Sequence, residues 1–499
     1  MERKSGILMP IFSLPSKYGI GDFGEQAYEF IDYLKTAGQK VWQVLPLVQT
    51  GYGNSPYQSV CGNSLNPYFI SPKLLFSQKL ITKKELDSTL YEGKYIDYGF
   101  LYNVRYSLLE KAFSRFDKEN IDFIKFVKKG EYKDYALFMT AKEKFGFKDF
   151  VCWDDENIIK RDSKALKRLE KENKERVLYW QFIQYIALEQ WVELKNYAKF
   201  NGIEILGDIP LYVASDSVDV WVNPNLFKLD KNYRPTKVAG VPPDYFCATG
   251  QLWGNPVYNY EEHKKDGFKW WVNRVKKALK LYDYLRIDHF RGLDRYFEIE
   301  NGEPTAENGK WVDVPSREFF EVLHKNIDKT KMIAEDLGII DDGVRKLLKE
   351  VGYPGMKILS FAFNGESDNL YLPKNIEENS VCFTGTHDND TLIGLIENSS
   401  EWDYKNLING VKESIGLAKI NLKITDNKSL AKAIISLGYY SKSKLFIIPY
   451  ADVIFKNTDY RINAPATVRE QNWSIKFEKK DFNKSTLNYL LRLTKKFNR

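Results

Sequence analysis

Four apolar stretches of this sequence each run into an acid. Asp208 closes IEILGD (203–208), Asp288 closes YLRID (284–288), Glu335 and Asp336 close MIAED (332–336), and Asp388 closes VCFTGTHD (381–388). Strand interiors disfavour carboxylates, so acids at the ends of such runs serve something other than the sheet. Any one of them alone could cap a following helix or pair with a surface lysine. Four together, with Arg286 beside Asp288 and His387 beside Asp388, point instead to a shared site. In DYLRIDHFRG (283–292), extended geometry sets Arg286, Asp288 and Phe290 on one face and Leu285, Ile287 and His289 on the other.

Paired carboxylates with an arginine suit glycosyl transfer, in which one ionised acid attacks the anomeric carbon and a second, kept protonated, donates to the leaving oxygen. An arginine next to Asp288 would keep that aspartate ionised. A metal centre is less well served. The four histidines, His263, His289, His324 and His387, show no His-x-x-x-His or His-x-His spacing. A magnesium site from Asp208, Asp288 and Asp388 stays open as an alternative, although no phosphate-cradling loop accompanies it. Neither a metal nor an organic cofactor is expected.

The elements that must position these acids follow from periodicity. Short apolar runs alternate with amphipathic segments, the pattern of βα units. Eight strands are expected, at 5–11, 40–46, 203–210, 284–290, 331–336, 356–363, 381–388 and 444–450. Helical patterns lie between them, among them 24–38, 269–282 and 316–327, the last with Ser316 placed as an N-cap. Eight right-handed repeats predict a closed (β/α)8 TIM barrel, whose strands end at one mouth where such enzymes keep their chemistry. An open doubly wound sheet is the competing arrangement. It would carry a glycine-rich phosphate turn after its first strand, and SLPSKYGIGDFG (13–24) matches that spacing only with Pro15 and Tyr18 filling the turn.

The strands are unevenly spaced. A large, mostly helical insertion is expected between strands 2 and 3, at about 62–195, and a further cleft-covering insertion between strands 3 and 4, at about 211–265, both on a single catalytic barrel domain spanning 1–499. No Ser/Gly/Pro linker and no internal repeat divides the chain.

Composition narrows the classes. A hydrophobic fraction of 43% with 28% charged residues is that of a globular chain. The balance of 74 Lys+Arg against 67 Asp+Glu leaves +7, spread along the sequence rather than gathered into a stripe, so no nucleic-acid partner is expected. No stretch approaches the roughly 18 apolar residues of a membrane span, so no membrane partner is expected either. Pro10 and Pro15 interrupt the only apolar run near the N-terminus. Cys61, Cys152, Cys247 and Cys382 are far apart and form no CxxC pair, which suits a cytoplasmic protein with reduced thiols. Aromatic residues reach 15%; sugar rings stack on such faces, although most must be ordinary packing.

These segments, in this order, resemble the 4-alpha-glucanotransferases, also called amylomaltases or disproportionating enzymes. The resemblance is carried by SLPSKYGIGDFG (13–24), QVLPLVQTGYGNSPYQS (43–59), GDIPLYVASDSVDVW (207–221), VAGVPPDYFCATGQLWGNPVY (238–258), LRIDHFRG (285–292), IAEDLG (333–338), GYPGMKILSFAF (352–363) and THDNDTLIG (386–394). It implies Asp288 as nucleophile, Glu335 as general acid/base, and Asp388, helped by His387, as the residue gripping the sugar's 2- and 3-hydroxyls. It further implies that Arg286 orients Asp288, that Tyr57 forms a donor-side platform, that Asp208 hydrogen-bonds the donor glucose, and that Asp244, Gln251 and Trp253 lie on a loop over the cleft. The implied substrates are α-1,4-glucan donor and acceptor, bound by a monomer or homodimer. RINAPATVREQNWSIK (461–476) departs from the family's usual RMNxPGTxxGNWxWR by an extra residue and by Ile475-Lys476 in place of Trp-Arg, while Asn463 keeps its place. Cys61 stands where an aromatic residue is usual. A glucan hydrolase on the same barrel and an inactive glucan-binding protein are the competing readings; the second requires loss of an acid from the trio, and all three are present.

Overall fold

The computed structural model describes residues 3–51, 53–243, 247–467 and 469–499. Twelve strands lie among them: β1 (Lys4–Leu8), β2 (Val41–Gln43), β3 (Glu204–Ile209), β4 (Lys237–Val241), β5 (Gln251–Pro256), β6 (Tyr284–Ile287), β7 (Arg295–Glu300), β8 (Lys310–Asp313), β9 (Met332–Ala334), β10 (Gly355–Ile358), β11 (Ser380–Phe383) and β12 (Leu445–Pro449). Eight of them pair in parallel in the order β10-β11-β12-β1-β2-β3-β6-β9. The two ends meet: Ala334 N–H donates to Pro354 O at 3.0 Å, and the Asp336 carboxylate accepts from Met356 N–H at 2.6 Å. The sheet therefore closes as a TIM barrel, and each of the eight strands expected from the sequence is present.

These strands read clearly because helices cover their outer faces and side chains fill the interior, so both faces are buried. LFIIP of β12 is buried at every position. β3 contains Gly207, where a Cβ would lie 2.1 Å from the Tyr282 ring. The glycine lets that ring pack directly on the strand one residue before Asp208.

Between β2 and β3 the chain is helical, including Tyr98–Arg115, Lys133–Lys144 and the 27-residue helix Lys174–Phe200. The last delivers the chain into β3 through Gly202 in the left-handed region (φ +72°). Trp191 on this helix donates to Leu281 O at 3.1 Å and packs on Phe23, fastening the insertion to the barrel. Trp42, Trp180, Trp191, Trp221 and Trp271 are all fully buried, so much of the aromatic content is core packing.

A second, antiparallel sheet in the order β5-β4-β7-β8 was not anticipated. It joins the 211–265 segment to strands that follow β6, so the cover over the cleft extends to residues 295–313. One local expectation also changes. The Ser316 helix is Ser316–His324 with Pro315 before it, and the Ser316 hydroxyl donates to Leu293 O at 2.6 Å instead of capping. Cys61, which stands where an aromatic residue is usual, is buried in the core. No helix among the described residues is long and apolar enough to cross a membrane.

Candidate active site

The strand-end acids converge as the barrel requires. Asp288, Glu335 and Asp388 line one cleft at the C-terminal mouth, together with Tyr57, Gln251, Trp253, Arg286, His387 and Asn463. Asp244 lies outside the described residues. The cleft has a cavity volume of about 810 Å³, toward the upper end of the roughly 300–1,000 Å³ of ligand pockets.

Asp208 is the exception. Its side chain has no solvent exposure, and it lies beneath the cleft wall. Arg286 donates to it twice, Nε to Oδ1 at 3.0 Å and Nη2 to Oδ2 at 2.7 Å, and the Tyr57 hydroxyl donates to Oδ2 at 2.5 Å. Both carboxylate oxygens have protein donors and neither is exposed, so Asp208 presents no oxygen to a sugar in the cleft. The same Arg286 Nη2 lies 2.9 Å from Asp288 Oδ1. An arginine nitrogen thus bridges the two aspartates between which a magnesium ion would have had to sit.

Asp288 stands just past the end of β6, with its carboxyl 29% exposed. Burial raises its pKa to about 6, against the pull of Arg286; Asp208 and Asp388 add to the rise. The expectation that Arg286 would simply lower it is therefore incomplete, since burial and the neighbouring acids outweigh the arginine. Glu335 is pushed well above the ordinary glutamate range, first by burial and then by the charge of Asp288. Its two oxygens accept backbone N–H bonds, Oε2 from His289 at 2.6 Å and Oε1 from Leu337 at 3.0 Å. Two acids in one low-dielectric site cannot both ionise cheaply. Arg286 bonds directly to Asp288 and favours its ionised form, while burial and the Asp288 charge favour the protonated form of Glu335.

Asp388 is the opposite case. Burial opposes its ionisation, but His387, the Asn463 amide and Arg286 outweigh that and hold it down to about 2. Asn463 Nδ2 donates to Oδ1 at 2.6 Å, and His387 Nε2 lies 3.3 Å from Oδ2. Arg461 fixes the backbone beneath, donating to Asp388 O at 2.6 Å and Asn463 O at 2.7 Å. The Tyr57 and His387 rings stack at 5.2 Å and 13°.

Several residues reach the cleft that the sequence did not single out. Trp473 packs against both Tyr57 and His387 at 5.8 Å, so the atypical 461–476 segment contributes an aromatic wall. His289, expected to turn away, lines the cleft. The strand ends at Ile287, His289 takes a left-handed backbone (φ +47°), and its ring meets Trp253 edge-on at 4.8 Å. Leu252, Ile339 and Phe361, each substantially exposed, form an apolar rim.

What is assembled is an aspartate under an arginine, a glutamate with a raised pKa, a second fixed aspartate and aromatic walls. That set suits displacement at a sugar carbon. Comparison with known proteins agrees. The sequence profile of the 4-alpha-glucanotransferase family matches residues 9–481. A 4-alpha-glucanotransferase from Clostridium butyricum is 43% identical over 497 residues, covering 98% of this chain and 100% of that one. One from Thermus thermophilus is 38% identical over 483 residues, covering 95% and 94%. The solved amylomaltase from Streptococcus agalactiae in complex with acarbose superposes with a TM-score of 0.94 at 37% identity, covering 100% of both chains. The Corynebacterium glutamicum amylomaltase, at 17% identity and a TM-score of 0.79 over 99% of this chain and 75% of that one, shares the fold. By sequence over nearly its whole length, this chain belongs to the 4-alpha-glucanotransferase family.

Proposed function

We propose that the protein is a 4-alpha-glucanotransferase that moves a segment of an α-1,4-glucan onto the 4-hydroxyl of another glucan or glucose by retaining double displacement. The observation that carries this is the division of labour between the two coupled acids: Asp288 bonded to Arg286, Glu335 raised and cradled by backbone N–H groups. Asp288, with Oδ1 held by Arg286, attacks C1 with its other oxygen. The C1–O bond breaks, and the Glu335 proton passes to the departing 4-oxygen. In the second half an acceptor 4-hydroxyl gives its proton to Glu335 as its oxygen displaces Asp288 from C1, so the α configuration is restored.

Asp388 would grip the 2- and 3-hydroxyls, with Asn463 and His387 aiming it. Asp208 acts through Arg286 rather than by touching sugar. Tyr57 and Trp473 supply the donor-side platform, and Gln251 and Trp253 the cover. The helical segment at about 62–195 forms the flank of the same domain. The chain works in the cytoplasm, a reading supported by its dispersed cysteines.

Transfer must outrun hydrolysis, and an apolar cover over the acceptor side would exclude water. Trp253 against Tyr212 and His289 provides such a surface. Feeding maltotriose and following products tests the reading. Glucose and longer maltodextrins should appear with the number of reducing ends constant. A rising number would favour the hydrolase, and an unchanged maltotriose would sink both.

A further inference from the structure

We propose that Arg291, stacked on Trp311, is a positioning residue for Glu335 and links the sheet over the cleft to that carboxyl; this rests on the reading of Glu335 as general acid/base. The cradle of Glu335 has two halves. One N–H comes from His289, just after β6, and the other from Leu337, just after β9. The carboxyl keeps its aim only while these two segments hold a fixed separation.

Arg291 spans them. It follows His289 by two residues and donates through Nη1 to Ile339 O at 2.6 Å, two residues beyond Leu337. Its Nη2 donates to Asp341 Oδ2 at 3.1 Å, while Asp341 Oδ1 accepts from Val344 N–H at 3.2 Å and caps the helix Asp342–Val351. The loop leaving Glu335 is thus fastened to the segment carrying the other donor and to the next helix. A point charge on a flexible stem would not reproduce this. The planar guanidinium makes two directed bonds while its face stays free.

Trp311 covers that face. The guanidinium carbon lies 3.8 Å from the ring centroid, and Arg291 is 4% exposed. Trp311 stands opposite Phe297, Phe297 opposite Gly240, and Gly240 opposite Leu252. Directly opposed residues share a face of a sheet. The row therefore crosses the whole antiparallel sheet, from the arginine that braces the Glu335 cradle to Leu252, which is 41% exposed in the cleft wall. A glucan chain pressing on Leu252 and Trp253 bears on the same hydrogen-bonded sheet that seats Arg291.

The test changes the leaving group. The glucose oxygen of maltotriose needs a proton as it departs, whereas nitrophenolate leaves 4-nitrophenyl α-maltoside without one. Arg291→Lys should lower kcat on maltotriose about tenfold or more with little change in KM, a fraction of what a general acid supplies. The rate of its nitrophenol burst should stay close to that of the parent. Trp311→Leu, which removes the stack and keeps the hydrogen bonds, should show the same selectivity to a smaller degree, and it carries the test if Arg291→Lys does not fold. Equal losses on both substrates, or no loss on either, would overturn the proposal. Glu335→Gln is the reference. If it too loses both activities equally, the reading of Glu335 fails and this proposal with it; if Glu335→Gln is selective and neither other variant is, only the role of Arg291 fails.

Discussion

Arg286 holds Asp208 with two nitrogens and reaches Asp288 with one of those same two. Asp288, the proposed nucleophile, is thus the second partner of a cation already bound beneath the cleft. Both Arg286 and Asp208 are essentially inaccessible, at 4% and 0% side-chain exposure, so their pairing sets where the guanidinium points. Removing one partner of a buried pair costs about 3–5 kcal/mol. Asp208→Asn, which keeps the shape and one acceptor, should fall at the lower end, visible as a reduced Tm. With Arg286 drawn toward Asp288 alone, kcat on maltotriose should drop about a hundredfold, as misplacement by an ångström does. A sugar-contacting Asp208 would behave differently: the variant would keep its Tm and show its loss in KM.

The coupled acids predict a bell-shaped dependence of kcat/KM on pH. Asp288 must be ionised to attack, and burial has raised it to about 6. Activity should therefore fall as pH drops through about 6, because the nucleophile takes up a proton. Glu335 must be protonated to donate, and burial with the Asp288 charge holds it well above the glutamate range. Activity should fall again on the alkaline side as that proton leaves. Asp388, held down to about 2, adds no limb of its own. The burst from 4-nitrophenyl α-maltoside, whose leaving group needs no proton, should keep the acid limb and lack the alkaline one in the parent and in Glu335→Gln alike. An alkaline limb in either burst would belong to another group and would contradict the assignment.

The barrel was legible because its parallel strands are short continuous apolar runs, and the acids stood out against them. The antiparallel sheet was not. KVAGV and QLWGNP are short and interrupted by glycine, QLWGNP is partly exposed, and β4 finds one of its partners in Arg295–Glu300, far along the chain. Pairing of that kind is tertiary information that local pattern does not carry. The grouping of Asp288, Glu335 and Asp388 could be foreseen from strand ends. The burial of Asp208 could not, since alternation says which face a residue takes and not whether an arginine lies between it and the cleft. His289 escaped for a local reason: period-two reasoning ran three residues past the end of the strand, into a left-handed turn.

His263 predicts an acid-sensitive fold. It is fully buried among the Tyr258, Tyr260 and Trp270 rings, with the Leu226 backbone as a polar neighbour. Burial lowers its pKa from 6.5 to about 4. Between those values the unfolded chain binds a proton that the folded one refuses, so stability is complete above pH 6.5 and declines toward pH 4. Linkage puts the loss at about 3 kcal/mol across that window. His289, also lowered to about 4 by burial, acts in the same direction. His263→Phe suits the aromatic surroundings and should remove roughly half of the decline, read from urea unfolding at pH 4.5 and pH 7. An identical pH slope in variant and parent would refute it.

Lys476 predicts that part of the atypical C-terminal segment is held at a cost. Its side chain is buried, and Nζ makes long hydrogen bonds, 3.4 Å to Ser16 O and 3.5 Å to Tyr91 O, and lies 5.6 Å from the Tyr91 ring centroid, with no carboxylate in ion-pair range among the described residues. Burial lowers its pKa from 10.5 to about 8, against a weak opposing pull from Glu92. A lysine lowered on folding binds its proton more weakly in the folded chain. The penalty is therefore fully present below pH 8 and is relieved as pH rises from 8 toward 10.5, up to about 3 kcal/mol. Where the family commonly has an arginine, whose fork can satisfy several carbonyls at once, this chain places a point charge that can satisfy few. Lys476→Met keeps the stem's packing and deletes the charge, and should stabilise the protein by about 1–3 kcal/mol at pH 7. The gain should shrink at pH 9.5, where the parent lysine is itself largely neutral. Denaturant unfolding at the two pH values reads both quantities. A destabilised variant, or a gain independent of pH, would mean that the ammonium is better satisfied in its pocket than its two long hydrogen bonds account for.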